Sequence, residues 1–357
     1  MVVVDAHLDL AFNALRYDRD LLLPLSELRE FEERTGSPNR KLNGTALATI
    51  PALREAGVRI VFSSLFVPPI SKADTAAGTR FVYSTMEQAH GLAMEQMDYY
   101  HRLADDHDFI HLVTDLSALS EVLDKSDDDN PLLGIVIMME GADPIREPRE
   151  TEMWYERGLR MVAPAWDDTG YSAGAWRGRG GLTRDGRELL EIMSEMSFIL
   201  DLSHMSEQAS LEALDSYDGQ LAASHSNVRQ LVPGQRQLSD QQIQRIAERD
   251  GVIGVVFFNQ FIKAGHIKGG RKDAVTIDHL IAHVDHICQR VGDSLHVGLG
   301  TDFDGGFGLE DVPAEIETVA DLTKVSDQLG ERGYDVTDIE NIMAGNWLRM
   351  LNNSLPG

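Results

Sequence analysis

Short apolar runs that alternate with amphipathic stretches of helical length limit most strongly how this chain can fold. Eight such runs, rich in Val and Ile, lie at residues 2–4, 59–67, 134–139, 159–165, 198–202, 220–223, 252–257 and 296–300. Their apolar residues are continuous rather than alternating, which is typical of parallel strands that are buried on both faces. The sequence therefore predicts eight parallel strands.

Six amphipathic stretches lie between these strands, at residues 86–104, 150–158, 185–196, 206–216, 239–249 and 277–291. Ser206 and Ser239 stand at N-cap positions, and Gln242 can complete a capping box with Ser239. Eight βα units predict an α/β fold, a TIM (β/α)8 barrel, in which residues 1–357 form one domain with long loops.

Two alternatives to a single barrel remain open at this point. The length of 357 residues would also allow two domains. An open doubly wound sheet usually has fewer strands and carries a Gly-rich phosphate-binding turn after its first strand, and that turn has no counterpart here. Polar segments 27–43, 126–130 and 167–186 are predicted to be loops, and residues 109–113 an additional strand or helix outside the barrel.

The charge of the chain argues against several classes of partner. There are 58 acidic and 32 basic residues, which gives a formal net charge of -26. A surface this negative repels phosphate backbones and anionic lipids, so we expect no nucleic acid and no membrane as partner. We see no secretory signal and no apolar run of about 20 residues. Cys288 is the one cysteine, which suits a reducing compartment, and we expect a cytoplasmic protein.

Polar side chains follow five of the predicted strands at their carboxyl ends. His7 and Asp9 follow the first strand, Glu140 the third, His204 the fifth, His225 the sixth and Asp302 the eighth. In a barrel these ends form the rim that houses active sites, so residues far apart in sequence converge there. A single such residue is more often structural, but agreement among five strand ends favours a shared site.

Three imidazoles and three carboxylates are donors that suit zinc or a similar divalent ion. Six groups exceed what one catalytic ion needs. Two ions that share a bridging carboxylate, roughly 3.5 to 4 Å apart, would use them all. We interpret His279, His283 and His286, on one face of a predicted helix, as core or surface residues, because the pattern lacks the Glu of a HExxH motif.

With these residues in view, the chain resembles the membrane dipeptidase family, the renal-dipeptidase-like metallopeptidases. The motifs that carry the resemblance are "DAHLDL", "MEGA", "DLSHMS", "SHSN" and "HVGLGTDFDG", and they span almost the whole chain. The resemblance implies a TIM (β/α)8 barrel of the metal-dependent hydrolase type, with residues 1–357 as one catalytic domain that holds two Zn²⁺ ions. His7 and Asp9 would hold one ion, His204 and His225 the other, and Glu140 would bridge them.

The resemblance also implies roles in catalysis and substrate binding. A metal-bridging hydroxide would attack the scissile carbonyl, and Asp302 would pass its proton to the leaving amine, while Asp304 supports its neighbours. Arg236 stands where the family has an Arg that binds the carboxylate of the dipeptide, and Arg229 is the alternative. Trp166 replaces a family His that stabilises the oxyanion, and an indole cannot carry that charge. Self-association as a homodimer is implied by the resemblance alone.

These features predict a zinc-dependent dipeptidase with tolerance for a D-residue at the C-terminal position of the substrate. A dizinc amidase or lactonase that acts on another small substrate is one alternative, which Trp166 favours. A non-catalytic binding paralogue is the other, although all six positions of the predicted metal site are filled.

Overall fold

The computed structural model describes residues 1–72, 81–126, 130–176 and 179–357. These residues form a parallel sheet of nine strands, β1 (Val3–Leu8), β2 (Val58–Phe66), β3 (Ile110–Leu112), β4 (Leu133–Glu140), β5 (Leu159–Ala163), β6 (Ile199–Asp201), β7 (Leu221–Ala223), β8 (Val252–Val255) and β9 (Val297–Leu299). The pairs β2–β4 and β9–β1 close the sheet into a barrel. The eight predicted strands are confirmed, and with them the TIM barrel of the metal-dependent hydrolase type. The open doubly wound sheet is wrong.

The segment at residues 109–113 contains β3, which is a strand outside the closed barrel. It pairs with the first part of β4, from Leu133 to Ile135, while β5 pairs with β4 further along, from Ile137 to Glu140. The two strands therefore follow each other along one edge of β4. The assignment of residues 1–357 to a single domain stays a prediction.

Helices surround the barrel. They are α1 (Leu10–Tyr17), α2 (Leu25–Thr35), α3 (Pro38–Asn43), α4 (Ile50–Glu55), α5 (Met86–Asp106), α6 (Leu116–Asp124), α7 (Thr151–Glu156), α8 (Arg184–Glu195), α9 (Glu207–Ser216), α10 (Asp240–Glu248), α11 (Asn259–Ile262), α12 (Ile277–Val291), α13 (Leu322–Arg332), α14 (Val336–Glu340) and α15 (Asn346–Ser354). All six predicted helices are present. Ser206 caps α9, and Ser239 forms the predicted capping box with Gln242.

The prediction of a loop at residues 27–43 was wrong, because α2 and α3 occupy most of it. The many charged residues of this segment obscure the apolar pattern of an amphipathic helix, whose buried side includes Leu25, Leu28 and Glu32. Gly36 ends α2 with a left-handed φ of 62°. Residues 127–129 of the predicted loop 126–130 lie outside the described residues. Between residues 167 and 183 the described part has no helix or strand, and α8 begins at Arg184.

Apolar side chains fill the barrel interior, so polar groups concentrate at the carboxyl ends of the strands. Trp347 from α15 is fully buried among these side chains, with its ring centroid 5.6 Å from that of Phe62. Its indole N–H donates to the carbonyl of Leu299 at 3.0 Å. Among the helices of the described residues, none has the length and apolar character to cross a membrane.

Candidate metal centre

The carboxyl ends of five barrel strands bring the six predicted residues together. His7 lies in β1 and Asp9 directly follows that strand, while Glu140 is the last residue of β4. His204, His225 and Asp302 follow β6, β7 and β9. All are buried except Asp302, which is partly exposed.

Two groups of donor atoms face the carboxylate of Glu140. On one side, Glu140 Oε1 lies 3.1 Å from His204 Nε2 and 3.5 Å from His225 Nε2. On the other side, Glu140 Oε2 lies 3.7 Å from His7 Nε2. His7 Nε2 is also 3.7 Å from Asp9 Oδ1 and 3.9 Å from Asp302 Oδ1. The two oxygens of Glu140 thus face different histidines, Oε1 facing His204 and His225 and Oε2 facing His7.

The His7 ring shows that this cluster fits a cation. Both ring nitrogens are buried and have no hydrogen-bond partner among the described residues. Buried polar atoms in native proteins almost always have a partner, and an imidazole among carboxylates is a metal-ligand set. The sets His7, Glu140, His225 and His7, Asp9, Asp302 each have one donor atom per residue within 4.8 Å of the others.

The electrostatics of the cluster also call for positive charge. Burial lowers the pKa of His7, but the carboxylates of Glu140, Asp9 and Asp302 outweigh it and raise this pKa to about 10. Burial raises the pKa values of the Glu140 and Asp302 carboxyl groups. A divalent ion would supply the charge that these crowded carboxylates need.

A neutral imidazole is the form that binds metals, and the surroundings of the two other histidines favour this form. Burial lowers the pKa values of His204 and His225 well below the usual range, and the charges of Arg236 and His7 lower them further. Both side chains can therefore offer Nε2 as a ligand without first losing a proton.

A chain of hydrogen bonds positions the ring of His225 through its Nδ1 atom. Its Nδ1 lies 2.7 Å from Ser224 Oγ, and this hydroxyl donates to Asp201 Oδ2 at 2.5 Å. Asp201 Oδ1 accepts the backbone N–H groups of Ser203 at 2.9 Å and Ser224 at 2.8 Å. A histidine that binds metal through Nε2 donates through Nδ1, so this chain sets the tautomer and the ring orientation.

Two of the six residues have unusual backbone conformations. His204 has a φ of 65° and Asp302 a φ of 58°, both in the left-handed region that L-residues rarely adopt. Such conformations cost energy and concentrate at functional sites.

The cluster forms the floor of a cavity of about 410 Å³. Trp166 lines it, with its ring centroid 6.2 Å from that of His204, and so does Trp176, which is 46% exposed. Phe66, Phe258, Phe261 and Phe307 add further aromatic walls. A few hundred cubic ångströms suit a small ligand.

Arg236, rather than Arg229, reaches this cavity. Arg236 is 6% exposed and donates to the carbonyl of His225 at 2.7 Å and to Ser226 Oγ at 3.0 Å. Its Nη2 lies 3.1 Å from His204 Nε2. Arg229 forms an ion pair with Glu207 at 2.7 Å and donates to loop carbonyls.

Asp304 supports a neighbouring loop. Its carboxylate accepts the N–H groups of Leu47 and Ala48, and it lies 3.6 Å from the buried guanidinium of Arg19. The side-chain amide of Asn13 donates to the carbonyls of both Asp9 and Asp304, which joins this loop to the metal site.

The helix histidines have local partners. His283 accepts from the N–H of Val228 and donates to the carbonyl of Ile262, while His286 lies 2.8 Å from Asp240. His279 completes the cap of α12 with Thr276. This agrees with their interpretation as core or surface residues.

Sequence reasoning missed Asp201, Ser224, Arg16 and Lys268. Asp201 and Ser224 stand three and one positions before predicted ligands, in "DLSH" and "SH", so their spacing could have identified them. Arg16 and Lys268 line the cavity from α1 and from the segment between α11 and α12, and no motif marks them.

A closed parallel barrel with histidines and carboxylates at the carboxyl ends of its strands defines the class of metal-dependent hydrolases. Within that class, a family model described as membrane dipeptidase, peptidase family M19, matches residues 1–354. The chain belongs to this family. It is a peptide-bond hydrolase that depends on a divalent metal.

Similarity to known proteins extends over most of the chain. An uncharacterised protein from the pqqA 5′ region of Klebsiella pneumoniae is 32% identical over 235 residues, which cover 63% of this chain and 83% of that protein. A solved dipeptidase described as a family M19 metallopeptidase has a TM-score of 0.80 at 24% identity and covers 100% of this chain and 99% of its own.

A second solved structure is a metallopeptidase from Rhodobacter sphaeroides that holds a phosphinate mimic of the dipeptide L-Ala-D-Ala. It has a TM-score of 0.79 at 23% identity, and the match covers 99% of each chain. At these identities the two solved structures show that the fold is shared.

Proposed function

We propose that this protein is a dizinc dipeptidase that also accepts substrates with a D-residue at the C-terminal position. His7 and Asp9 would hold one ion, His204 and His225 the other, and Glu140 would bridge the two. The observation that carries the proposal is the position of Glu140, whose two oxygens face the two separate sets of donors. When bound, two zinc ions polarise the scissile carbonyl and make water more acidic.

Asp302 is the group that moves the proton. Its Oδ1 lies beside the cluster, 3.9 Å from His7 Nε2. Asp302 takes a proton from the attacking water and gives it to the nitrogen of the leaving amine as the C–N bond breaks. Burial raises the pKa of this carboxyl group, while the positive charges of His7 and Arg236 lower it.

Arg236 holds the terminal carboxylate of the dipeptide. Its buried guanidinium lines the cavity beside His204, and a guanidinium can bind a carboxylate through two parallel hydrogen bonds. Trp166 contributes to the cavity wall, where an indole adds apolar contact and at most one N–H donor. Charge that develops on the carbonyl oxygen must then be stabilised mainly by the metal site.

Two observations on other proteins support the substrate. The solved Rhodobacter sphaeroides relative binds a mimic of L-Ala-D-Ala, and a Claviceps purpurea relative is called a dipeptidase.

We also propose a homodimer in the cytoplasm. The single cysteine supports this compartment, and size-exclusion chromatography with light scattering tests the dimer.

The proposal is tested by metal analysis and a substrate panel. Purified protein is assayed with L,L and L,D dipeptides before chelation, after chelation and after zinc is restored. We expect two ions per chain and cleavage that chelation abolishes and zinc restores. Two ions without dipeptide cleavage would favour the amidase or lactonase alternative, and a protein that binds no zinc would refute the metal centre.

The isosteric variant Asp302→Asn tests the proton-transfer role. It should retain the metal content of the wild type while kcat falls by about 100-fold or more, because an amide cannot accept the proton of water. Normal turnover in a variant with full metal content would remove Asp302 from the mechanism.

A further inference from the structure

The cavity wall has a charge pattern that the proposed metal site does not explain. Its acidic lining residues, Asp9, Glu140 and Asp302, all belong to the metal cluster. The other charged residues that line it, among those the structure describes, are all cations: Arg16, Lys72, Arg236 and Lys268.

This pattern is opposite to the charge of the chain as a whole. Acidic residues outnumber basic ones by 58 to 32. If the charged residues of the cavity wall were a random sample of the chain, most of them would be acidic. A concave surface lined by one sign of charge focuses the electrostatic field and attracts ligands of the other sign. The terminal carboxylate of a dipeptide needs Arg236 alone, which leaves three further cations at the wall.

Lys268 is the cation best placed to meet a second anionic group. Its Nζ donates to the carbonyl oxygens of Gly306, at 2.6 Å, and Leu42, at 3.2 Å. These contacts hold the ammonium group beside the loop that follows Asp302, and both are to neutral carbonyl groups rather than to a carboxylate. An ammonium group that is already positioned loses less conformational freedom when it binds a ligand.

The other two cations differ in their surroundings. Lys72 lies 3.6 Å from the buried carboxylate of Asp167, which offsets part of its charge. The guanidinium carbon of Arg16 lies 5.6 Å from the ring centroids of both Phe12 and Tyr17. Arg16 therefore lines the wall as a cation within cation–π distance of two aromatic rings.

We propose that this enzyme prefers dipeptides with an acidic side chain, and that Lys268 binds the side-chain carboxylate. This inference rests on the proposed function, with Arg236 holding the terminal carboxylate at the cavity floor. A substrate such as Ala-Glu then has both carboxylates paired with cations of the same cavity. Its amide counterpart, Ala-Gln, has nearly the same shape but lacks the second charge.

The test compares kcat/KM for Ala-Glu and Ala-Gln in the zinc-loaded enzyme and in Lys268→Met, which keeps the length of the side chain and removes its charge. Lys272→Met is the matched control, because Lys272 also donates to a backbone carbonyl, that of Ile316, but does not line the cavity. We expect Ala-Glu to be favoured roughly three- to tenfold in the wild type and the control. In Lys268→Met this ratio should fall toward one, mainly through a higher KM for Ala-Glu.

Equal rates for the two dipeptides in the wild type would overturn the preference while leaving the dipeptidase in place. A preference that Lys268→Met retains in full would overturn the role of Lys268. The preference should also weaken as salt is raised, because partly exposed charges are screened. Cleavage of neither substrate, nor of any other dipeptide, would overturn the proposed function and this inference with it.

Discussion

Removal of one buried hydroxyl should weaken one of the two proposed metal sites selectively. In Ser224→Ala the ring of His225 loses the group that lies 2.7 Å from its Nδ1, and Asp201 loses the hydroxyl that donates to it at 2.5 Å. The carboxylate of Asp201 keeps two backbone donors, the N–H groups of Ser203 and Ser224, so the strand ends stay in place. The perturbation therefore acts on the orientation and basicity of one imidazole.

Loss of such a partner of a metal-bound histidine reduces affinity about 10- to 100-fold. This range corresponds to about 1.4 to 2.7 kcal/mol of binding free energy. The affinities are measured by titrating the metal-free protein with zinc in competition with a fluorescent chelator. If two ions bind, this titration gives a separate zinc affinity for each site. We expect one of them to fall by this factor, while the site with His7 and Asp9 is nearly unchanged.

Ser210→Ala provides the matched control, because Ser210 Oγ in α9 is buried and has no hydrogen-bond partner among the described residues. This variant removes a buried hydroxyl at no cost to the site and should bind zinc like the wild type. If Ser224→Ala binds both ions with unchanged affinity, the hydrogen-bond chain does not act on the metal site. Equal losses at both sites in a destabilised variant would show a general effect on folding instead.

Three further results follow from the described contacts. Glu32→Gln removes the carboxylate charge that lies 2.8 Å from the buried Arg19 guanidinium, which keeps Asp304 as a second carboxylate neighbour at 3.6 Å. It should lower the free energy of unfolding by about 2 kcal/mol in chemical denaturation; a loss below about 0.5 kcal/mol would contradict this. Burial lowers the pKa of His283 from 6.5 to about 4. As pH falls, His283 is therefore protonated in the unfolded chain before it is protonated in the folded chain. The free energy of unfolding should decrease by about 3 kcal/mol between pH 6.5 and pH 4 because of this group. His283→Gln should flatten that part of the stability profile, and an unchanged profile would refute the assignment. Arg236→Ala should raise KM for free dipeptides by about 30-fold but leave C-terminally amidated substrates much less affected, and equal effects on both would argue against carboxylate binding.

The barrel was predictable because its strands are buried on both faces. Continuous apolar runs such as 134–139 leave few other folds open, and polar residues directly after them fall on one rim. The segment 27–43 was not predictable in the same way. Glu32 sits on the buried side of α2 as the partner of Arg19, and a charged residue at a core position breaks the apolar pattern that marks a helix.

The cavity shows a second limit of sequence reasoning. His204 and His225 follow strands, so their position along the chain predicts where they lie. Lys268 belongs to a long connection between α11 and α12, and only the folded chain places its ammonium group beside Gly306. Residues that shape substrate choice are commonly on such loops, where strand and helix patterns carry no information.

The same arrangement of an aspartate and a hydroxyl occurs twice beneath the metal cluster. Asp5 in β1 accepts the N–H of His7 and that of Thr301, which follows the neighbouring strand β9, and its other oxygen accepts the Thr301 hydroxyl at 2.6 Å. Asp201 in β6 does the same with the N–H groups of Ser203 and of Ser224, which follows β7, and with the Ser224 hydroxyl.

In both cases the carboxylate joins the ends of two adjacent strands by accepting one backbone N–H group from each side. These are the strand ends from which His7, His204, His225 and Asp302 leave the barrel. These hydrogen bonds therefore join the ends of β1 and β9 and the ends of β6 and β7, which are four of the five strands whose side chains form the cluster around Glu140. The two aspartates therefore belong to the metal centre as much as the predicted ligands do, although neither lies in its donor set.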